Sequence, residues 1–241
     1  MAESMTLLCL PYAGASASVY ASWRRLLPAW LKVQPVELPG RGSRMDDPFA
    51  ENLNALAVQL AAELSAGLVL RSAPRYALFG HSLGGLIAYE LAHALADQGV
   101  PAALFVSGAS APSQRDDQRY RALATNAQLR AELRRLNGMP DELLENTELM
   151  EMVLPVLAAD FRLCASFIRR KRTPLSCPIH VFGGTHDPTV PASALAAWQR
   201  ETVDEFSTEM FDGDHFFIRS HERALLHRLK TISARLTVKA A

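Results

Sequence analysis

The run Tyr76-Ala77-Leu78-Phe79-Gly80-His81-Ser82-Leu83-Gly84-Gly85-Leu86-Ile87 decides how the rest of the chain is read. Tyr76–Phe79 is a short apolar run, which predicts a buried strand. Leu83–Ala96 sets Leu86, Ile87, Leu91 and Leu95 on one side, which predicts a buried helix. Between the two stands Gly-x-Ser-x-Gly, the pattern of a nucleophile elbow, where a serine occupies a strained turn from strand to helix. Glycines beside the serine let strand and helix approach closely. The helix N-terminus offers backbone N–H groups and a positive dipole end to a developing oxyanion. Ser82 is therefore the candidate nucleophile and the Leu83 N–H a candidate oxyanion donor. An inert serine in a Gly-rich turn is the plain alternative, and the strand–turn–helix setting argues against it.

Outward from this motif, short apolar runs alternate with helical patterns. Thr6–Leu10 and Lys32–Val36 read as strands, with a helix at Ser18–Leu27 between them. Leu53, Leu56, Leu60 and Leu64 recur at three and four, so Asn52–Leu70 reads as an amphipathic helix. Ala102–Ser107 is a fourth strand. From Pro112 to about Arg172 only helical pattern is visible, with an apolar stripe that Pro155 is expected to kink. Alternation resumes with a strand at Ile179–Phe182, a helix near Ala192–Glu201, a strand near Ser207–Phe211 and a basic helix from His221. The pattern predicts one α/β domain over residues 1–241, its mostly parallel sheet covered by helices on both faces. A helical insertion at approximately 112–172 is expected to act as a lid.

Composition narrows the function. The 241 residues carry 25 basic and 25 acidic side chains, a balance that argues against a nucleic-acid binder. Hydrophobic residues at 49% and charged residues at 21% are those of a globular chain. No apolar run is long enough for a membrane span, and the N-terminus lacks the plan of a signal peptide. Cys9, Cys164 and Cys177 are far apart, odd in number and without ligand spacing, so neither a disulfide framework nor a metal site is expected. A cytoplasmic protein without membrane contact follows as the expectation.

A serine nucleophile needs a base and an acid to orient it, in the chain order Ser, Asp or Glu, His. Among seven histidines, His215 lies just past a strand in Asp212-Gly213-Asp214-His215-Phe216-Phe217, where a loop can carry an imidazole over the sheet edge. His186 is its rival, on the same loop as the candidate acid. His93, His221 and His227 lie on helices and His180 in a strand. His81 should point away from Ser82. For the acid, Asp187 follows Ile179–Phe182 directly, at the end of a strand where catalytic groups gather in open α/β sheets. A simple Asp-Pro turn is the alternative. The second oxyanion donor should come from Pro11-Tyr12-Ala13-Gly14-Ala15, the turn after the first strand. The Ala13 N–H is the first choice, with Tyr12 as the other.

Taken together, Leu8-Cys9-Leu10-Pro11-Tyr12-Ala13-Gly14, Leu38-Pro39-Gly40-Arg41-Gly42, Gly80–Gly85, Gly183–Asp187 and Gly213–Phe217 resemble the type II thioesterases of nonribosomal peptide and polyketide synthesis. The resemblance runs from about Met5 to Leu236 and implies the α/β-hydrolase fold, with the triad on Ser82, Asp187 and His215. Related release thioesterases often place the acid after the strand that here ends Val106-Ser107-Gly108-Ala109-Ser110. No acid stands there, which favours Asp187 and a free-standing enzyme. The turn Ala13-Gly14-Ala15-Ser16 has fewer glycines than many relatives, so Ala13 and Tyr12 both stay open as donors.

The resemblance further implies hydrolysis of aberrant or stalled acyl thioesters on the phosphopantetheine arm of a carrier protein, with no cofactor and a monomeric enzyme. Local charge suits such a partner: residues 141–160 hold six acids and no Lys or Arg, and 161–172 five basic residues and no acid. The run Arg169-Arg170-Lys171-Arg172 could steer an acidic carrier protein, although a solvated helix end is the ordinary reading. Arg41 and Arg44 are open to the same two readings. A carboxylesterase or lipase on small esters, and a non-catalytic synthetase-binding scaffold, are the competing functions.

Overall fold

The apolar run Met5–Leu10 is fully buried because it forms an inner strand, β1, with neighbours on both sides. A computed structural model describes residues 4–67 and 75–238. Among the described residues, six strands form one sheet in the order β2-β1-β3-β4-β5-β6, every neighbour pair parallel. The others are β2 (Leu31–Pro35), β3 (Tyr76–His81), β4 (Leu104–Ser107), β5 (Ile179–Gly184) and β6 (Phe206–Phe211). Parallel strands need crossovers, and the helices that supply them cover both faces of the sheet.

Ten α-helices are described: α1 (Trp23–Leu26), α2 (Leu53–Ala66), α3 (Leu83–Ala94), α4 (Gln118–Arg121), α5 (Asn126–Arg135), α6 (Asp141–Leu144), α7 (Thr147–Ser166), α8 (Ala192–Ala196), α9 (Phe217–Ser220) and α10 (Glu222–Val238). One face of the sheet packs on α2 and α3 through Leu56, Leu60, Leu86 and Leu91. The other packs on α1 and α10 through Trp23, Leu225 and Leu229, with Phe79 and Phe105 from the sheet. Asn52 caps α2, its side chain accepting the Ala55 N–H at 2.9 Å. The expected end of that helix, Leu70, lies outside the described residues.

One expectation is corrected. The helix at Ser18–Leu27 is instead a 3-10 turn, Ala17–Tyr20, followed by the single turn α1. Leu27 is extended (φ −97°, ψ 151°) because the next residue is Pro28, which disfavours a helical neighbour before it. Pro155, expected to kink the insertion's apolar helix, stands inside α7, which is helical on both sides of it. It lies on the exposed side, where water can satisfy the carbonyl that loses its donor.

Between β4 and β5 the described residues form α4 to α7 and no ladder strand. These helices have a small core of their own, built from Leu129, Leu133, Leu144, Met150, Leu154 and Phe161. Farther along α7, Leu163 and Cys164 join the main core instead. The long helix is thus shared between the insertion and the body of the domain.

Candidate active site

The turn between β3 and α3 forces Ser82 to φ 54°, ψ −117°, a conformation costly for a residue with a side chain. Neighbouring glycines make the turn possible. A Cβ on Gly80 would stand 2.0 Å from the Gly84 carbonyl oxygen, and one on Gly84 would stand 2.2 Å from that of Leu10. Strand β3, helix α3 and the end of β1 therefore approach more closely than any side chain allows. This contact brings Ser82 beside the turn that follows β1.

The loops after β5 and β6 supply the other two candidates. Asp187 Oδ2 accepts from Nδ1 of His215 at 2.6 Å, with the side chains 0% and 4% exposed. The opposite oxygen, Oδ1, accepts from the backbone N–H of Thr189 (2.8 Å), its hydroxyl (2.8 Å) and the Val190 N–H (3.2 Å). The bond to Thr189 is an Asx turn, which the Asp187-Pro188-Thr189 sequence favours. Burial alone would raise the Asp187 carboxyl, but the bond and charge of His215, with Thr189, hold it below the usual carboxylate value. An ionised Asp187 can only accept, so His215 carries its proton on Nδ1 and leaves Nε2 free to act as a base.

Ser82 and His215 line one cavity of about 260 Å³, together with Ala13 and Ala109. From the insertion, Arg115, Tyr120, Phe161 and Cys164 also line it. No described residue accepts the backbone N–H of Ala13 or of Leu83, while the Gly14 N–H is held by Asp160 at 2.7 Å. Tyr12 turns its ring edge-on to His81 and Phe216, and its own backbone N–H is likewise without a described acceptor. Ser82, Leu83, Asp187 and His215, with both donor candidates Ala13 and Tyr12, therefore follow the ends of β1, β3, β5 and β6, at the C-terminal edge of the sheet.

His186, the rival base, is exposed and faces Asp212 at 3.4 Å, away from this pair. His81 is fully buried; its Nδ1 lies 2.9 Å from Ser107 Oγ, and its ring centroid is 5.0 Å from that of His215. Burial, with the nearby His215, pushes its pKa well down and keeps it neutral behind the site.

Sequence reasoning missed Thr189 and Asp160 and misread Arg41. Thr189 was recoverable from its spacing to Asp187. Asp160 left a trace as a lone acid on the apolar side of α7, but its partner Arg41 stands 119 positions away and nothing local names it. Arg41 is 6% exposed, so it is no docking side chain for a partner. Arg172 is also engaged, in an ion pair with the buried Glu90, and Arg169 lies 3.6 Å from Glu201.

A family model described as a thioesterase domain matches residues 5–233. The gramicidin S biosynthesis protein GrsT of Aneurinibacillus migulanus is 38% identical over 219 residues, covering 90% of this chain and 84% of that protein. The crystal structure of ClbQ, from the colibactin NRPS/PKS pathway, superposes with a TM-score of 0.89 at 32% identity, covering 98% of this chain and 99% of that one. The type II thioesterase BorB of the borrelidin biosynthetic cluster gives 0.85 at 34% identity, over 95% and 92% of the two chains.

Proposed function

We propose, since the chain belongs to the thioesterase-domain family, that it is a type II thioesterase. In this reading it hydrolyses aberrant or stalled acyl thioesters from the phosphopantetheine arm of a synthetase carrier protein in the cytoplasm. Ser82, Asp187 and His215 form its catalytic triad. The observation that carries the reading is the buried 2.6 Å pair of Asp187 and His215, with His215 lining the same cavity as the strained Ser82.

His215 removes the Ser82 proton as the hydroxyl oxygen attacks the thioester carbonyl. The N–H groups of Leu83 and Ala13 receive the negative oxygen of the tetrahedral intermediate. Collapse breaks the C–S bond, and the imidazolium returns its proton to the departing pantetheine thiol. Water then attacks the acyl-serine, giving its proton to His215, and Ser82 is regenerated as the free acid leaves. Asp187 holds the tautomer and stabilises the imidazolium throughout. The helices from 112 to 172 act as the lid, excluding bulk water and bounding the acyl group.

Hydrolysis of a panel of acyl-loaded carrier proteins, with Ser82→Ala as control, tests this. Turnover of the matching free esters as fast as the thioesters would instead make the protein a carboxylesterase. A biological effect retained by Ser82→Ala would make it a scaffold.

A further inference from the structure

Asp160 occupies a place where an ionised carboxyl is hard to keep. It is 1% exposed, on α7 between Leu157 and Leu163, both buried. Such a group persists only if every lone pair is used. Here Oδ1 accepts from Nη2 of Arg41 at 2.7 Å, and Oδ2 from Nη1 at 2.5 Å. The same Oδ2 also accepts the backbone N–H of Gly14 at 2.7 Å.

The pair acts on one small piece of chain. Asp160 holds the Gly14 N–H while Arg41 donates to the Ala15 carbonyl at 3.4 Å. Gly14 itself has φ +79°, and Leu157 Cδ1, one helical turn before Asp160, lies 3.2 Å from where its Cβ would be. The turn is thus gripped by charge on one side and by packing on the other. Its preceding residue is Ala13, which lines the cavity beside Ser82. A buried ion pair can often be replaced by apolar residues without loss of stability, so stability alone is a weak reason for this one.

We propose that Asp160, seated by Arg41, is a positioning residue for oxyanion stabilisation: it fixes the Tyr12–Ala15 turn so that the Ala13 N–H faces the carbonyl oxygen of an acyl group on Ser82. The hold comes from α7, the helix that also bounds the cavity, so the oxyanion donor is in place only when that helix is docked. The inference rests on reading Ser82 as the nucleophile.

Two double variants avoid stranding a buried charge. Arg41→Met/Asp160→Leu removes both the ion pair and the acceptor for Gly14. Arg41→Gln/Asp160→Asn removes the charges but keeps an amide carbonyl able to accept that N–H. The readouts are the rate of Ser82 labelling by a fluorophosphonate, which needs the oxyanion donors but no thioester, and kcat and KM on an acyl-pantetheine. We expect the apolar pair to label and turn over about 10-fold or more slowly, with KM changed by less than about 3-fold. The polar pair should label several-fold faster than the apolar pair. Equal labelling by the two pairs, or wild-type labelling by the apolar pair, overturns the proposal. If the apolar pair does not fold, Asp160→Glu decides: its longer arm displaces the acceptor, so slower labelling supports the proposal and wild-type labelling overturns it. Wild-type protein that labels yet hydrolyses no thioester defeats the substrate assignment and leaves the positioning test standing.

Discussion

Asp187 and His215, 28 positions apart on the loops after β5 and β6, meet through a 2.6 Å contact between Oδ2 and Nδ1 from which solvent is almost wholly excluded. This pair sets which nitrogen of the imidazole is free. Asp187→Asn should therefore keep the fold but lower kcat by about 10⁴-fold, because an amide can support the wrong tautomer. Steady-state kinetics beside a circular dichroism melt would check it, and near-normal turnover would remove Asp187 from the triad.

With Ser82 as the proposed nucleophile, its hydroxyl is needed while its backbone is unfavourable, so activity and stability should part company there. Ser82→Gly should abolish hydrolysis yet raise stability by about 1 kcal/mol, the relief of strain exceeding the extra backbone entropy of glycine. For a chain of this size that is roughly 2–4 °C in Tm. A lower Tm in the variant would show that the turn stores no strain.

Phe161 lines the cavity from α7 and is 4% exposed. Phe161→Ala should enlarge the site and shift preference toward longer acyl chains, at a cost of about 3–5 kcal/mol in stability. A series of acyl-pantetheines of increasing length measures the shift. An unchanged length profile in the folded variant would place the acyl group elsewhere.

Acid should weaken the fold well before the carboxylates titrate. Burial pushes His180 and His93 down to about 4 from an ordinary value near 6.5. The unfolded chain then binds more protons, so their stability is fully present above about pH 6.5 and is lost as pH falls toward 4. For His180 alone this is about 2 kcal/mol at pH 4.5. Asp187, held below its ordinary value, adds its own loss only at still lower pH. Urea midpoints between pH 7 and 4.5 should fall, and less steeply in His180→Gln; an identical slope would assign the effect to other groups.

Arg170 and Lys171 are exposed where the chain leaves α7, beside the engaged Arg169 and Arg172. If this patch steers a carrier protein, Arg170→Glu/Lys171→Glu should raise KM for acyl-carrier protein several-fold and leave a small acyl-pantetheine unaffected. Added salt should shrink the difference. Equal KM values for the acyl-carrier protein would locate docking on another surface.

Local pattern carried much of this far. The strands β1, β3 and β5 stand within two residues of where apolar runs put them, because a buried parallel strand is nearly continuous in apolar residues. Ser82 and Leu83 were legible because an elbow needs its glycines at fixed offsets. Asp187 and His215 were legible because each follows a strand directly. Ser18–Leu27 misled because Tyr20 and Trp23 mimic helical spacing, while both are held by aromatic contacts to Phe79 under the sheet. Arg41 misled because a charged residue beside glycines looks like surface, and only its distant partner makes it core.

The sequence by itself determined the alternation of strand and helix, the elbow and the order of the three candidate catalytic residues, since each depends on spacing along a few neighbouring positions. Tertiary structure alone decided that α7 belongs half to the insertion and half to the body, and that Asp160 reaches Arg41 and the Gly14 N–H. The physical reason is that a buried charge must find its partner wherever packing brings one. Proximity across more than a hundred residues leaves no period in the chain to read.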